Sequence, residues 1–225
     1  MIDAPLHAKY RDLSSAADRA LRSAAHHPDP VPTDGDPRWG LSLVLRIEGE
    51  VRDALCAELA ALAAARRAPH LVYAPEHLHS TVRSLEGFRD EVPPGLVDRY
   101  AALVREAVAG LPEIEIDFRG LGASEGGVFA CGYAGPGLTE LRERLRRARP
   151  ASDRPGGDGD RVRDTAHVSL MVFRPPLVPE PGLADHVAAR RDTAYGTVRV
   201  RSLSLVRYRP TADSAGLTEL DRITL

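Results

Sequence analysis

Residues 77–85, HLHSTVRSL, and residues 165–173, TAHVSLMVF, decide how this chain is read. Side chains two apart in a strand project from the same face. In the first stretch this groups His77, His79, Thr81 and Arg83, with Leu78 and Val82 anchoring the opposite face. In the second, Thr165, His167, Ser169 and Met171 alternate against Ala166, Val168, Leu170 and Val172. Period and β-branched content make both stretches strands. Each sets an imidazole beside a hydroxyl, and none of the other six of the eight histidines is followed two positions later by Ser or Thr. Two such pairs facing each other across a cleft supply a general base, a general acid and two hydroxyl donors. That set suits metal-free chemistry on a phosphodiester.

The surrounding sequence supplies a frame for these strands. Residues 6–25 carry an apolar stripe at Leu6, Tyr10, Leu13, Ala17, Leu21 and Ala24, spaced for one helical face docked on the main body. Residues 26–38, HHPDPVPTDGDPR, read as a solvated linker because Pro, Asp and Gly crowd out regular structure. A core strand is predicted over 41–47, a helix over 50–67, the first motif strand over 77–85 and a helix over 93–110, together forming one lobe. A strand over 113–121 and another ending near Tyr133 flank a glycine-rich hairpin. The glycines at 120, 122, 126 and 127 lack dinucleotide-loop spacing and precede a strand. A helix over 136–149 carries arginines that fan around its circumference as a solvated surface. Residues 150–164 read as a mobile loop able to cover a cleft, and residues 197–209 as one long closing strand after a short helix over 183–191. Repeated strand, helix and motif-strand units suit two similar lobes facing each other.

Composition narrows the function classes. A chain of 225 residues and 24.3 kDa can bury a substantial core. Its formal net charge of −2 argues against a strongly basic nucleic-acid scaffold, so a polyanion would be held by local clusters. Apolar runs are too short for a membrane span and the first residues lack a secretory layout, which makes a cytoplasmic location the expectation. Cys56 and Cys131 have neither metal nor disulfide spacing and read as buried small apolar residues. Lys9 is the single lysine against 29 arginines and sits in a peripheral helix, so a ligase working through a lysine–nucleotide intermediate is not expected. No Walker-type phosphate loop is present. Trp39, Tyr133, Tyr195 and Tyr208 are the candidates for base stacking, with no assignment to the cleft.

The paired His-x-Thr/Ser motifs, 88 positions apart, with Arg83 following the first, resemble the 2H phosphoesterases and within them the LigT-like or 2′-5′ RNA ligase family. Ser80 departs from that pattern, in which an apolar residue is usual. The resemblance spans roughly residues 39–209. It implies an α+β fold of two lobes, each an antiparallel sheet with helices on its outer face, and an active-site cleft between them. The expected organisation is a helical extension and linker over 1–38 and a bilobal domain over 39–225. The expected activity is metal-independent hydrolysis of 2′,3′-cyclic phosphates or 2′-5′ linked nucleotides or RNA ends, with no cofactor, no membrane and no obligate protein partner. His79 and His167 would be the catalytic acid and base, in an order the sequence leaves open. Thr81 and Ser169 would bind the phosphate, with Arg83 as a third contact. Two alternatives stand beside this: a non-catalytic RNA-end or nucleotide-binding protein, and a metal-dependent hydrolase using His77 and His79 as ligands.

Overall fold

The computed structural model describes residues 4–148 and 156–225. Arg149 and residues 150–155 of the expected loop lie outside the described residues. The elements run α1 (Ala4–Ser23), β1 (Leu41–Arg46), α2 (Gly49–Ala65), β2 (Leu71–Val72), β3 (His79–Ser84), α3 (Leu96–Val108), β4 (Glu115–Ser124), β5 (Gly127–Ala134), α4 (Pro136–Arg147), β6 (Val168–Val172), α5 (Pro181–Ala189), β7 (Ala194–Arg199), β8 (Ser202–Pro210) and β9 (Ala215–Thr224), with a short 3₁₀ turn at Pro75–His77. None of the described helices is long and apolar enough to cross a membrane.

All the strands join in one antiparallel sheet of order β7-β4-β5-β6-β3-β1-β8-β9, with β2 beside β6. The sheet divides where the two motif strands meet. β3 and β6 share one register pair, Ser80 opposite Val168, whereas β1 and β8 or β4 and β5 are zipped over four pairs or more. One half is therefore β3-β1-β8-β9 and the other β7-β4-β5-β6. This is the α+β, two-lobed arrangement expected from the sequence. Apolar residues from both halves and from all five helices form one buried cluster, including Leu21, Leu55, Leu138 and Leu183 from helices and Leu43, Ile116 and Leu170 from strands.

Several details differ from the sequence reading. The segment read as one closing strand over 197–209 is two, broken at Val200 and Arg201. β7 pairs with β4 at one edge of the sheet, while β8 pairs with β1 in the other half. The alternation TVRVRSLSLV continues through the break without Gly, Pro or Asn, so no turn signal marks it. β2 and β9 carry no prediction; β9 pairs with β8 along its whole length. α2 does not stay with the first motif strand but packs on β7, β6 and α5 of the opposite half. The segment 26–38 is irregular and mostly exposed, as expected, and it is also fastened at particular points. Amides of His27 and Asp29 donate to the carbonyls of Glu125 and Phe173, and the His26 ring is buried against Phe173 and His70, with centroids 4.9 and 5.5 Å away. Cys131 is buried, but Cys56 is half-exposed.

α1 lies against β4 and α5 and buries Tyr10, Ala17 and Leu21 of the predicted stripe together with Ala20, while Leu13 of that stripe is exposed. α4 begins at Pro136, where a first turn tolerates proline, and ends in Arg144, Arg146 and Arg147, which complement its C-terminal dipole. β4 and β5 form the expected glycine-rich hairpin, where close packing demands the small residue. A Cβ on Gly132 would sit 2.1 Å from the carbonyl oxygen of Ala166, just ahead of His167.

Candidate active site

His79 opens β3 and His167 immediately precedes β6. Ser80 opposite Val168 fixes the register there. One step to either side, antiparallel geometry sets His79 across from Ser169 and Thr81 across from His167, all on the face opposite Ser80 and Val168. In regular ladder geometry this face sets the four side chains at the corners of a square with the two imidazoles on one diagonal, about 7–8 Å apart or somewhat less between Cβ atoms. All four line one cleft of about 580 Å³.

Both motif strands bulge at the residue after the hydroxyl. On β3, Val44 of β1 faces Thr81 and the next residue back, Leu43, faces Arg83, so Val82 is the extra residue. On β6, Phe129 faces Ser169 while Val128 faces Met171, so Leu170 is extra. A bulge interrupts the two-residue alternation. This overturns the expectation that Arg83 shares the face of Thr81. Arg83 is buried, does not line the cleft, and donates to the carbonyls of Gly159 and Arg161 (3.3 Å to the latter). Ser84 takes its place on the cleft wall.

The His79 ring is held at both nitrogens. Nδ1 lies 2.7 Å from the carbonyl oxygen of His77, so it carries the proton and donates. Nε2 is then the acceptor for the Tyr208 hydroxyl, 2.7 Å away. Rings of Tyr73 and Tyr208 pack around it with centroids at 6.0 and 5.5 Å. Burial pulls the His79 pKa from 6.5 down to about 4, and Arg46 and Arg163 push the same way. His167 is also lowered to about 4, first by burial and then by Arg163 and by His79 itself. Its Nδ1 is 3.2 Å from Thr165 Oγ1 and its ring sits 5.2 Å from that of Phe129. Both rings are therefore neutral at pH 7. His77 contributes its carbonyl to His79; it lies in the 3₁₀ turn, and its ring does not line the cleft. The shared strand face expected for His77 and His79 is not formed.

The rest of the wall comes from distant sequence. The segment 156–165 is anchored by Asp158, whose carboxylate accepts from the Ser84 amide and from Arg163 Nε, both at 2.7 Å. Arg161 and Arg163 line the cleft, joined by Arg38, which pairs with Asp29, and by Lys9, which pairs with Asp164. Lys9 is thus at the cleft and not peripheral, contrary to the sequence reading. Trp39 and Tyr208 belong to the cleft and meet edge to face at 5.3 Å, whereas Tyr133 and Tyr195 do not line it. Tyr208 had no local signal, because β8 reaches the site only through sheet order. Arg142 did have one. It falls on the Leu138, Leu141, Leu145 stripe of α4 and is buried, so the expectation of a wholly solvated arginine fan fails at this position.

A comparison with protein-family models gives no match, and neither does one with curated proteins. Solved structures do match. TT0787 of Thermus thermophilus is 20% identical, with 83% of this chain and 97% of that one covered at a TM-score of 0.60. Apo LigT of E. coli is 18% identical over 83% of this chain and 96% of its own, with a TM-score of 0.55. ATU0111 of Agrobacterium tumefaciens, described as a conserved protein of unknown function, is 14% identical over 95% of this chain and 98% of its own, with a TM-score of 0.52. At these identities the likeness is one of fold. The chain has the LigT fold, which is the fold implied by its paired motifs.

Proposed function

We propose that this chain is a metal-independent phosphodiesterase of the 2H type, acting on 2′,3′-cyclic phosphates or 2′-5′ linked nucleotides or RNA ends. The observation that carries the reading is the square of His79, Thr81, His167 and Ser169 on one wall of one cleft. For a cyclic phosphate, one neutral imidazole takes a proton from water as the water oxygen bonds to phosphorus. The other imidazole, protonated, gives its proton to the ribose oxygen as the P–O bond to it breaks, leaving a phosphomonoester. Each proton transfer contributes about 10²- to 10⁴-fold. Thr81 and Ser169 donate to the non-bridging oxygens, where negative charge builds up. LigT itself has been crystallised with 3′-AMP, a phosphomonoester of the class this hydrolysis would leave behind.

Both rings titrate near pH 4 in the free protein, so the acid has to acquire its proton with the substrate. An anionic phosphate within a few ångströms favours the imidazolium and raises the pKa of the ring it touches. The cleft wall sets Lys9, Arg38, Arg161 and Arg163 against Asp29, Asp158 and Asp164, a surplus of one positive charge in a chain that is negative as a whole.

The test is a panel of 2′,3′-cyclic nucleotides and 2′-5′ and 3′-5′ oligonucleotides with a chelator present, comparing wild type with His79→Ala, His167→Ala and the double variant. Turnover in the chelator, lost in each single variant, is the expected outcome. Undiminished turnover in the double variant, or activity that needs an added divalent ion, overturns the reading. A second reading, a nucleotide-binding protein without turnover, is favoured by one observation: Tyr208 already occupies His79 Nε2. It predicts tight binding of a cyclic nucleotide with no product formed.

A further inference from the structure

One side chain outside the cleft touches both motif segments. Arg142 is 3% exposed. Its Nε donates to the carbonyl of Val82 at 3.1 Å and its Nη2 to that of Thr81 at 3.0 Å. Nη2 also reaches the carbonyl of Thr165 at 2.8 Å, and Nη1 that of Arg163 at 2.9 Å. Four of the five guanidinium N–H groups are thus engaged by main-chain oxygens, two from each motif segment.

The sheet explains why those oxygens need a donor. β3 and β6 meet at Ser80 and Val168 and then part. The bulge at Val82 takes that residue out of the ladder with β1, and Arg163 and Thr165 precede the first residue of β6. Carbonyls left in such a gap must be paired, or their burial without a partner is destabilising. An aliphatic residue would fit the Leu138–Leu145 stripe without burying a charge, but it could not bridge the gap. Lysine has three rotatable donors in place of the planar fork, so it could not hold four fixed acceptors at once.

We propose that Arg142 is a positioning residue for the hydrolysis: by bonding Thr81 and Val82 on one side and Arg163 and Thr165 on the other, it sets the spacing between the two His-x-Thr/Ser motifs. This deepens the phosphodiesterase reading and rests on it. Arg142 itself does not line the cleft, so its action is through the main chain of the two motif segments. Its charge is a further influence on His167, whose imidazolium it disfavours.

Arg144 provides a matched control. It lies on the same helix and also donates to two main-chain carbonyls, those of Ala107 and Ala109 at 3.3 and 2.8 Å, on the side of α3 and away from both motifs. The experiment compares Arg142→Met, Arg142→Lys and Arg144→Met. It records kinetics on a cyclic nucleotide well below each melting temperature and ¹⁵N-histidine spectra of the resting proteins. For Arg142→Met, kcat should fall about 100-fold, the scale of a misplacement near 1 Å, with KM within about threefold. The ring signals of both His79 and His167 should move, and Arg142→Lys should recover part of kcat. Arg144→Met should leave kcat and both rings in place. Equal kcat in the two Met variants, or movement of the His167 ring alone, would overturn the proposal. So would failure of both Arg142 variants to fold, which would mark the residue as structural only. If wild type turns over no cyclic nucleotide, the phosphodiesterase reading fails, while the ring spectra still decide whether Arg142 sets the spacing of the motifs.

Discussion

Two imidazoles held neutral, His79 buried and His167 partly exposed at the cleft, make acid the most direct probe of this site. In the folded protein His79 and His167 both titrate near pH 4, against 6.5 for an unperturbed ring. Between those values the unfolded chain binds more protons than the folded one, so stability is full above about pH 6.5 and drains as the pH falls toward 4. At about 1.4 kcal/mol per pH unit inside that window, each ring costs roughly 2 kcal/mol between pH 7 and pH 5. For a chain of this size that is a drop of about 4–8 °C in melting temperature per ring. His26 and His70 are lowered too and push in the same direction, so wild type alone is not diagnostic. The difference is read from thermal unfolding at pH 7 and pH 5 of wild type, His79→Gln, His167→Gln and the double variant. Each substitution should shrink the pH-dependent loss by one ring's share, whatever it does to stability at pH 7. Asp164 and Glu219, held low by Lys9 and Arg222, lose their contributions only at more acidic pH, outside this comparison. A double variant that loses as much as wild type between pH 7 and pH 5 would refute the lowered pKa values of the two rings.

Three further outcomes follow from named contacts. Tyr208→Phe removes the donor to His79 Nε2 and leaves a buried acceptor unpaired; it should cost about 1–3 kcal/mol in unfolding and raise the pKa of His79, followed by ring titration. Thr81→Val or Ser169→Ala should lower kcat by about 10²–10³, the worth of one donor to a developing oxyanion, and steady-state kinetics with intact substrate binding would check it. Gly132→Ala drives a methyl against the Ala166 carbonyl, where no flexible side chain can yield, and should destabilise by at least about 1–3 kcal/mol; an unchanged melting temperature would contradict that packing.

The parts of this molecule that sequence disclosed are those governed by local periodicity. The motif strands, the stripe of α1 and the β4–β5 hairpin announce themselves through spacing and turn residues. What stayed hidden depends on partners far along the chain. The bulge at Val82 leaves no mark in HSTVRS, because it is imposed by the register against β1, and it is what withdraws Arg83 from the cleft. Tyr208 reaches His79 across 129 positions by sheet order alone. Lys9 and the Tyr10 hydroxyl, which accepts from the Ala166 amide beside His167, come from a helix whose pattern speaks only of docking, not of where it docks. Arg142 was legible in principle, since a charge on an apolar stripe asks what it bonds.

The interleaving of the two sheet halves also governs when a working molecule can exist. Apart from β2, the half that carries His167 is drawn from one unbroken run, residues 115–199. The half that carries His79 is closed by β8, with Leu41 paired to Arg207, and then by β9. Such remote pairings are slow to find and impossible before the late strands have been made. A chain emerging from the ribosome would hold an open, apolar β1 edge until β8 arrives, which makes that edge the place where premature self-association would start. It also means that Tyr208 reaches His79 only once β8 has been made, so a nascent form that stops before residue 208 lacks the hydroxyl that bonds the ring.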